Sequence, residues 1–400
     1  MSAIQSKLIQ VIENIRKELM SSELSENIGL HAGTSGVALF LAYYDRIIHQ
    51  NNEINPKIIE ILEHNIEQID SGNLQYSICR GISGFGWLCE HLRKLEMLNG
   101  EDIQFLEDLD PFLGQNMIDN IQWGNYDFLH GALGIGTYFL SRFDKKEVPV
   151  YLGKLLTELE KSSIPCENDS VKWMSVLNHK TGEKGYNISL SHGISSIAAF
   201  LVRLHLLNFE TKRVYILLYQ TIRYILGQIT YTESSNSYFP SYSKENTSGY
   251  NNSRLGWCYG DLGIAHTLWQ TAIALKDKEL ENKALRILYY NTTRRDLQKN
   301  IIRDAGLCHG SSGIAHIFWN LFLRTGIQEF RETTDYWLNI TMLMAENNDG
   351  LTGLKPWRKE NDDRSEYPYS LLEGFSGIGL VLLSQLIGGK IAWDECLMLS

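Results

Sequence analysis

Cysteine is sparse in this chain, six in 400 residues. Cys79, Cys89, Cys166, Cys258, Cys308 and Cys396 are too scattered for a compact disulfide framework, so a reducing, cytoplasmic setting is expected. Proline is nearly as rare, at seven, and only 21% of residues are charged, which leaves little that reads as disordered. Long apolar runs are missing too. SGIGLVLLSQLIGG is too short to cross a bilayer, and the stretch from Ile197 to Phe209 carries Arg203 and His205, so no membrane span is expected. The first twenty residues, MSAIQSKLIQVIENIRKELM, have charges throughout and no uninterrupted apolar core. They lack the shape of a secretory signal and read as an amphipathic helix. Basic residues are outnumbered, 37 Lys and Arg against 47 Asp and Glu. The net charge of −10 speaks against a general nucleic-acid binder, which needs clustered cations to neutralise phosphate. A neutral or cationic partner fits better.

What the chain does have is a repeat. Two Gly separated by two residues and followed by an apolar run recur as HAGTSGVALFL, CRGISGFGWLC, LHGALGIGTYF, SHGISSIAAFL, CYGDLGIAHTL, CHGSSGIAHIF and LEGFSGIGLVL. The first glycines are Gly33, Gly81, Gly131, Gly193, Gly260, Gly310 and Gly374, spaced by 48 to 67 residues, room for two helices and two loops. In the fourth copy Ser196 replaces the second Gly. Between the copies lie amphipathic stretches such as Pro56 to Ile69, Pro149 to Lys161, Arg213 to Gln228, Glu279 to Tyr290 and Phe330 to Met344. Their apolar spacing predicts helices with one face in water. The glycine-led stretches are apolar on more sides and suit inner helices. With 44% hydrophobic residues the core is large, and 400 residues fit either two or three average domains or one closed helical ring. The repeat favours a single all-α unit over 1–400, seven inner and seven outer helices, with an open helical solenoid as the alternative.

Excess length falls in three places. Residues 163–187 carry turn signals that could bound two short strands, a small strand-containing insertion. Thr230 to Asn252 and Asn347 to Tyr369 read as long rim loops, candidates for substrate contact.

The residues just before each first glycine sit at the mouth of an inner helix. In order they are His31-Ala32, Cys79-Arg80, Leu129-His130, Ser191-His192, Cys258-Tyr259, Cys308-His309 and Leu372-Glu373, far richer in metal and acid/base groups than the composition as a whole. The fifth and sixth repeats are neighbours, so Cys258, Cys308 and His309 can meet. Two thiolates and an imidazole suit zinc and leave a fourth tetrahedral position for water or substrate. Helix N-termini favour thiolates as well. The bland alternative is ordinary buried cysteines and a satisfied histidine.

W-C-Y-G at Trp257 to Gly260, C-H-G at Cys308 to Gly310 and S-H-G-I at Ser191 to Ile194 together resemble the lanthionine synthetase C-like proteins. The resemblance covers all seven repeats, and the length matches the free-standing cyclases of nisin- or subtilin-like pathways. It implies an α/α toroid with Zn2+ held by Cys258, Cys308 and His309. His192 matches the family's acid/base histidine, Asp127 its aspartate, Arg254 the arginine four residues before the first zinc cysteine, and Tyr259 the tyrosine beside that cysteine. Ser191 and Ser196 depart from the small residues or glycine usual around that histidine, and residues 163–187 would represent the family's strand-containing insertion only in reduced form. Each assignment has a plainer counterpart: Asp127 and Arg254 could simply pair to tie two repeats together. His31, His130, His266 and His316 are read as scaffold, and Arg80 and Glu373 as rim charges.

The implied chemistry is a Michael-type addition of a peptide cysteine thiol to dehydroalanine or dehydrobutyrine, forming lanthionine or methyllanthionine. The implied substrate is a dehydrated lantibiotic precursor peptide with its leader. A dehydratase and a peptide exporter are the implied partners, through which a cytoplasmic protein could sit at the inner face of the membrane. Two rivals keep the same scaffold: a relative adding glutathione with the same zinc chemistry, and a zinc-stabilised peptide-binding scaffold without turnover. A toroidal glycosidase would need paired carboxylates at the mouths, which offer mainly Cys and His.

Overall fold

A computed structural model of the chain describes residues 3–50, 53–72, 75–178, 180–246, 252–346, 354 and 368–400. Fourteen α-helices alternate along the described residues. Seven start at the repeat glycines: α2 (Thr34–Tyr44), α4 (Ile82–Lys94), α6 (Ala132–Ser141), α8 (Ile194–Leu206), α10 (Asp261–Leu275), α12 (Ser311–Thr325) and α14 (Phe375–Ile387). The other seven are α1 (Ala3–Met20), α3 (Pro56–Asp70), α5 (Leu106–Gln122), α7 (Val148–Ser162), α9 (Thr211–Gly227), α11 (Lys278–Thr292) and α13 (Gln328–Glu346). The two sets bury themselves differently, as their sequences require. Helix α2 is buried at every residue, whereas α3 buries only Lys57, Ile58, Ile61 and Asn65, one stripe at helical spacing. Helix α5 contains Pro111 and Gly114. The glycine has a packing reason: a Cβ there would lie 2.5 Å from the Tyr151 ring of α7.

Every first glycine of the repeat is the N-cap of its inner helix. In six of the seven repeats the loop before it folds back so that the carbonyl six residues before the glycine accepts a hydrogen bond from the first helical N–H. The pairs are Thr34 to Asn27 (3.0 Å), Ile82 to Gln75 (2.7 Å), Ala132 to Asn125 (3.1 Å), Ile194 to Asn187 (2.8 Å), Ser311 to Asp304 (3.1 Å) and Phe375 to Pro368 (3.0 Å). That bond satisfies one of the orphan donors every helix start carries. It also leaves no room for a side chain, since a Cβ on Gly33 would sit 2.3 Å from the Asn27 carbonyl oxygen and one on Gly81 1.8 Å from that of Gln75. A second bond locks four of the turns. Ser35, Ser83, Ser195 and Ser376, two residues after the glycine, donate their Oγ to the carbonyls of Ile28, Tyr76, Ile188 and Tyr369 at 2.5–2.7 Å.

The chain divides into two compact units, Met1–Leu109 with Ile302–Met398 and Ser400, and Asp110–Ile301 with Leu399. In the first, α12 packs on α14, α14 on α2 and α2 on α4, with α3 against α2, α13 against α12 and α1 against α14. In the second, α6 packs on α8 and α8 on α10, backed by α7, α9 and α11 respectively. Within each unit the helix mouths are joined by backbone hydrogen bonds. Cys308 N–H donates to Leu372 (2.8 Å), Leu372 to His31 (3.0 Å) and His31 to Cys79 (3.2 Å) in one. In the other, Leu190 and Ser191 both donate to the Cys258 carbonyl, at 3.2 and 3.3 Å.

Residues 163–187 hold four short strands where the sequence suggested two. Strand β1 (Ile164–Cys166) pairs antiparallel with β2 (Ser170–Lys172), and β3 (Ser175–Asn178) with β4 (Glu183–Gly185). Strand β2 packs on α9. The described part of the Thr230 to Asn252 segment is anchored rather than loose: Phe239, Ser237 and Ser243 are fully buried. The Asn347 to Tyr369 segment lies outside the described residues except for Leu354, Pro368 and Tyr369. No helix among the described residues is long and apolar enough to cross a membrane.

The mouth geometry gives a direct test. Gly81→Ala is expected to destabilise the fold by about 1–3 kcal/mol or more, the range for forcing atoms into a packed site, because the obstacle is backbone. Gly100→Ala, where an added Cβ meets nothing within 4 Å, should stay within about 0.5 kcal/mol of wild type. Equal denaturant midpoints for the two variants would contradict the close approach.

Candidate functional site

In the second unit the mouths of α6, α8 and α10 bring together Asp127, His192 and Tyr259. His192 precedes the Gly193 cap, and its Nδ1 lies 2.6 Å from Asp127 Oδ2. The other carboxylate oxygen, Oδ1, accepts the His130 backbone N–H at 2.8 Å. The His130 ring lies nearly parallel to that of His192, centroids 5.9 Å apart. The two partners titrate against burial. Burial alone would lower the His192 pKa, but the charge and hydrogen bond of Asp127 outweigh it, with Cys258 acting in the same direction, and the net shift is upward from 6.5. Burial would raise Asp127; the charge and hydrogen bond of His192, followed by His130, hold it below 3.8.

Tyr259 lies 5.9 Å from His192, ring to ring, and its hydroxyl accepts from Asn187 Nδ2 at 3.2 Å. Burial, then Tyr242, push its phenol well above the ordinary range, so it is a neutral hydroxyl at physiological pH. Cys258 is buried, its carbonyl fixed by the two α8-mouth N–H groups. Next to it, Trp257 packs edge-on against Phe128 at 6.2 Å. Gly260 departs from its six counterparts. It has φ +94° and ψ −165°, a region open essentially to glycine alone, and an added Cβ would lie 2.1 Å from the Arg254 carbonyl oxygen. Arg254 itself is half-buried. The Asp127 carboxylate is taken up by His192 and His130 N–H, and among the described residues it makes no ion pair with Arg254.

Beneath this loop lies a buried network that the sequence reading missed. Asp261, first residue of α10, pairs with Arg294 at 3.1 Å, both sealed from solvent, and accepts the N–H groups of Tyr238 and Phe239. Arg294 also donates to the Ser253 carbonyl at 2.7 Å and to Asn300 Oδ1 at 2.9 Å. Asp261 stands next to Gly260 in the repeat motif and could have been flagged as the one acidic residue at that position; Arg294 gives no local signal.

In the first unit Cys308 is buried and His309 half-buried at the α12 mouth. Cys258, Cys308 and His309 form a group whose ligand atoms, one from each side chain, lie within 4.8 Å of one another. Two thiols and an imidazole in that span are a donor set able to hold a zinc ion. The scaffold histidines have other company. His31 Nε2 lies 2.9 Å from the Cys396 carbonyl, His316 Nε2 2.8 Å from Asp394, and His266 rests against Trp269.

The repeat, the mouths and the Cys/His group are those of one protein class, and the chain belongs to it: the profile of the lanthionine synthetase C-like proteins matches residues 24–398. Among solved structures the chain is similar to "Nisin cyclase", with a TM-score of 0.72 at 19% identity, covering 100% of this chain and 98% of that one. The fold is therefore the α/α toroid expected from the sequence. No curated protein matches the sequence.

The Asp127 and His192 shifts have a stability signature. The raised His192 contributes fully below 6.5 and loses its contribution as pH rises through its folded value; the lowered Asp127 contributes above 3.8 and loses its share as pH falls. The stability advantage of wild type over Asp127→Asn is thus expected to peak between 3.8 and 6.5 and shrink on either side. Denaturant midpoints across pH measure this, and a pH-independent difference would refute the coupling.

Proposed function

We propose that this protein is a zinc-dependent lanthionine and methyllanthionine cyclase, adding cysteine thiols of a dehydrated precursor peptide to its dehydroalanine or dehydrobutyrine residues. The observation that carries the reading is the Cys258, Cys308 and His309 group in a chain of this family. The name of the similar solved structure, a cyclase, supports it. Residues 1–400 then act as one catalytic domain on a leader-bearing precursor, in the cytoplasm, with a dehydratase and an exporter as partners.

Zinc on those three ligands would supply the Lewis acidity that turns a substrate thiol into a bound thiolate at neutral pH. The rest falls to this chain. As sulfur bonds to the β-carbon, the C=C electron pair moves toward the adjacent carbonyl and leaves an enolate, whose α-carbon must take a proton. His192 is the acid for that step. Asp127 holds Nδ1, so the transferable proton is on Nε2, and the imidazole regains a proton from the incoming thiol. The same carboxylate stabilises the charged ring between the two events. Arg254 is assigned the developing enolate oxygen, and the neutral Tyr259 hydroxyl a second donor to it.

Two substitutions separate metal from proton. Cys308→Ala should lose zinc and cyclisation while keeping most helical signal; full zinc content by metal analysis would sink the ligand assignment. His192→Asn should keep zinc and slow thiol consumption by roughly 10²–10⁴-fold, the range for a positioned acid/base group. Rings formed by it in D₂O should show mixed α-carbon stereochemistry. Wild-type rate and stereochemistry in this variant would remove His192 from the reaction.

A further inference from the structure

The loop that carries Arg254, Cys258 and Tyr259 is closed differently from its six counterparts. In those, a backbone hydrogen bond across the repeat glycine shuts the loop, and the glycine keeps φ between −132° and −101°. In the fifth repeat Gly260 has φ +94°, and side chains do the closing. Helix α10 starts at Asp261, where the other inner helices start at Thr34, Ile82, Ala132, Ile194, Ser311 and Phe375 and offer no carboxylate.

One guanidinium grips both ends of this loop. Arg294 is buried and lies two residues beyond the end of α11. Its Nη2 donates to the Ser253 carbonyl at 2.7 Å, immediately before the loop. Its Nη1 donates to Asp261 Oδ2 at 3.1 Å, immediately after it. A third tie runs through Asn300, whose Oδ1 accepts from Arg294 Nε at 2.9 Å and whose carbonyl accepts Leu255 N–H at 3.2 Å. The guanidinium is itself anchored, because Nη1 also donates to Asn291 Oδ1 in the last turn of α11, at 3.0 Å. Asp261 is held from a second side by the N–H groups of Tyr238 and Phe239, at 2.8 and 2.9 Å. A planar fork with five donors can serve acceptors in these separate directions, whereas a lysine ammonium is a point charge.

What lies between the grips is the chemistry. Residues 254–260 include Arg254, Cys258 and Tyr259, and they end on a glycine whose backbone angles are open essentially to glycine alone. The Cys258 carbonyl is tied to the α8 mouth by the N–H groups of Leu190 and Ser191, which fixes one point of the loop. A loop fixed at one point can still turn about it. Fixing both ends as well removes that freedom and sets the direction in which the Cys258 side chain leaves the backbone. That direction matters, because the Cys258, Cys308 and His309 ligand atoms come within 4.8 Å of one another.

We propose that Arg294 is a positioning residue for Cys258: by holding the Ser253 carbonyl and the Asp261 carboxylate at once, it sets the loop so that the thiol meets Cys308 and His309. The proposal rests on the zinc reading of those three residues and adds to it a part that lies outside the helix mouths.

Two variants of the full chain test it. Arg294→Lys keeps the charge and loses the fork. The double variant Asp261→Asn with Arg294→Met removes both charges together, which spares the fold an unpaired buried ion. Zinc affinity is measured by competition with a chelating dye, and amide exchange by mass spectrometry on the protein as purified. Each variant is expected to bind zinc roughly 10–100-fold more weakly than wild type, the usual cost of losing a group that orients a ligand. Amide exchange over residues 254–260 should be faster by roughly ten-fold or more, with exchange over the Cys308 loop, residues 304–310, unchanged. Faster exchange at 254–260 with wild-type zinc affinity would mean a purely structural tie and overturn the proposal. Unchanged exchange there, or acceleration throughout the chain, would overturn it too. A wild type that binds no zinc would bring down the metal reading and this proposal together, whereas a zinc-binding wild type with equally tight variants would bring down this proposal alone.

Discussion

The structure depends on a missing atom repeated seven times. Because the first glycine of each repeat has no Cβ, the preceding loop can close, and in six of the seven a carbonyl six residues back meets the first N–H of the inner helix. A buried donor left without that partner would cost about 1–3 kcal/mol at each start. The closed loop also fixes where the residues before the glycine go. Their backbones bond to the next mouth in the row, from Cys308 through Leu372 and His31 to Cys79, and from Ser191 to Cys258. Side chains at these positions are thus presented by a hydrogen-bonded rim and not by free loops.

Much of this was legible because the repeat is written in residue types that have few other uses. Glycine at fixed spacing marked all seven inner starts, and Cys258, Cys308, His309 and His192 stood out because titratable and soft side chains gathered just before the repeat glycine, whereas Asp127 came from the family resemblance alone. The serine lock was equally visible, since Ser35, Ser83, Ser195 and Ser376 share a place in the motif, but its meaning requires the carbonyl it binds. Ser195 and Ser196 also show how the fourth repeat manages without a second glycine: Ser196 turns its Oγ back onto the Gly193 carbonyl at 2.6 Å. What stayed hidden depends on contacts between distant segments. Nothing in the local sequence announces that Arg294 reaches the Ser253 carbonyl, or that Asn187 and Tyr242 both meet Tyr259. The four short strands were undercounted because three-residue strands carry too little alternation to separate from turns.

The fifth repeat is where scaffold and chemistry compete most visibly. Its glycine takes a conformation the other six avoid, its first helical residue is a buried carboxylate, and that carboxylate is held by an arginine and two backbone N–H groups. A buried ion pair of this kind contributes little net stability once desolvation is counted. Its effect here is geometric, because it ties the segment around Phe239 and the Ser253 carbonyl to Asp261, which directly follows the loop bearing Cys258 and Tyr259. The loop's position is thereby set from below by a network with few alternative arrangements.

The division of the chain into units also bears on how the molecule is made. The unit spanning Asp110–Ile301 is almost continuous in sequence, whereas its companion joins Met1–Leu109 to Ile302–Met398, with α14 packed on both α1 and α2. During synthesis the continuous unit can reach its native contacts as soon as residue 301 has emerged. The first hundred residues must wait some two hundred more for their partners, with the apolar faces of α2 and α4 uncovered in the meantime. Long-range contacts of this kind slow folding and expose sticky intermediates. The order of birth along the ribosome therefore leaves α1 and α2 waiting longest for a helix they pack against, α14.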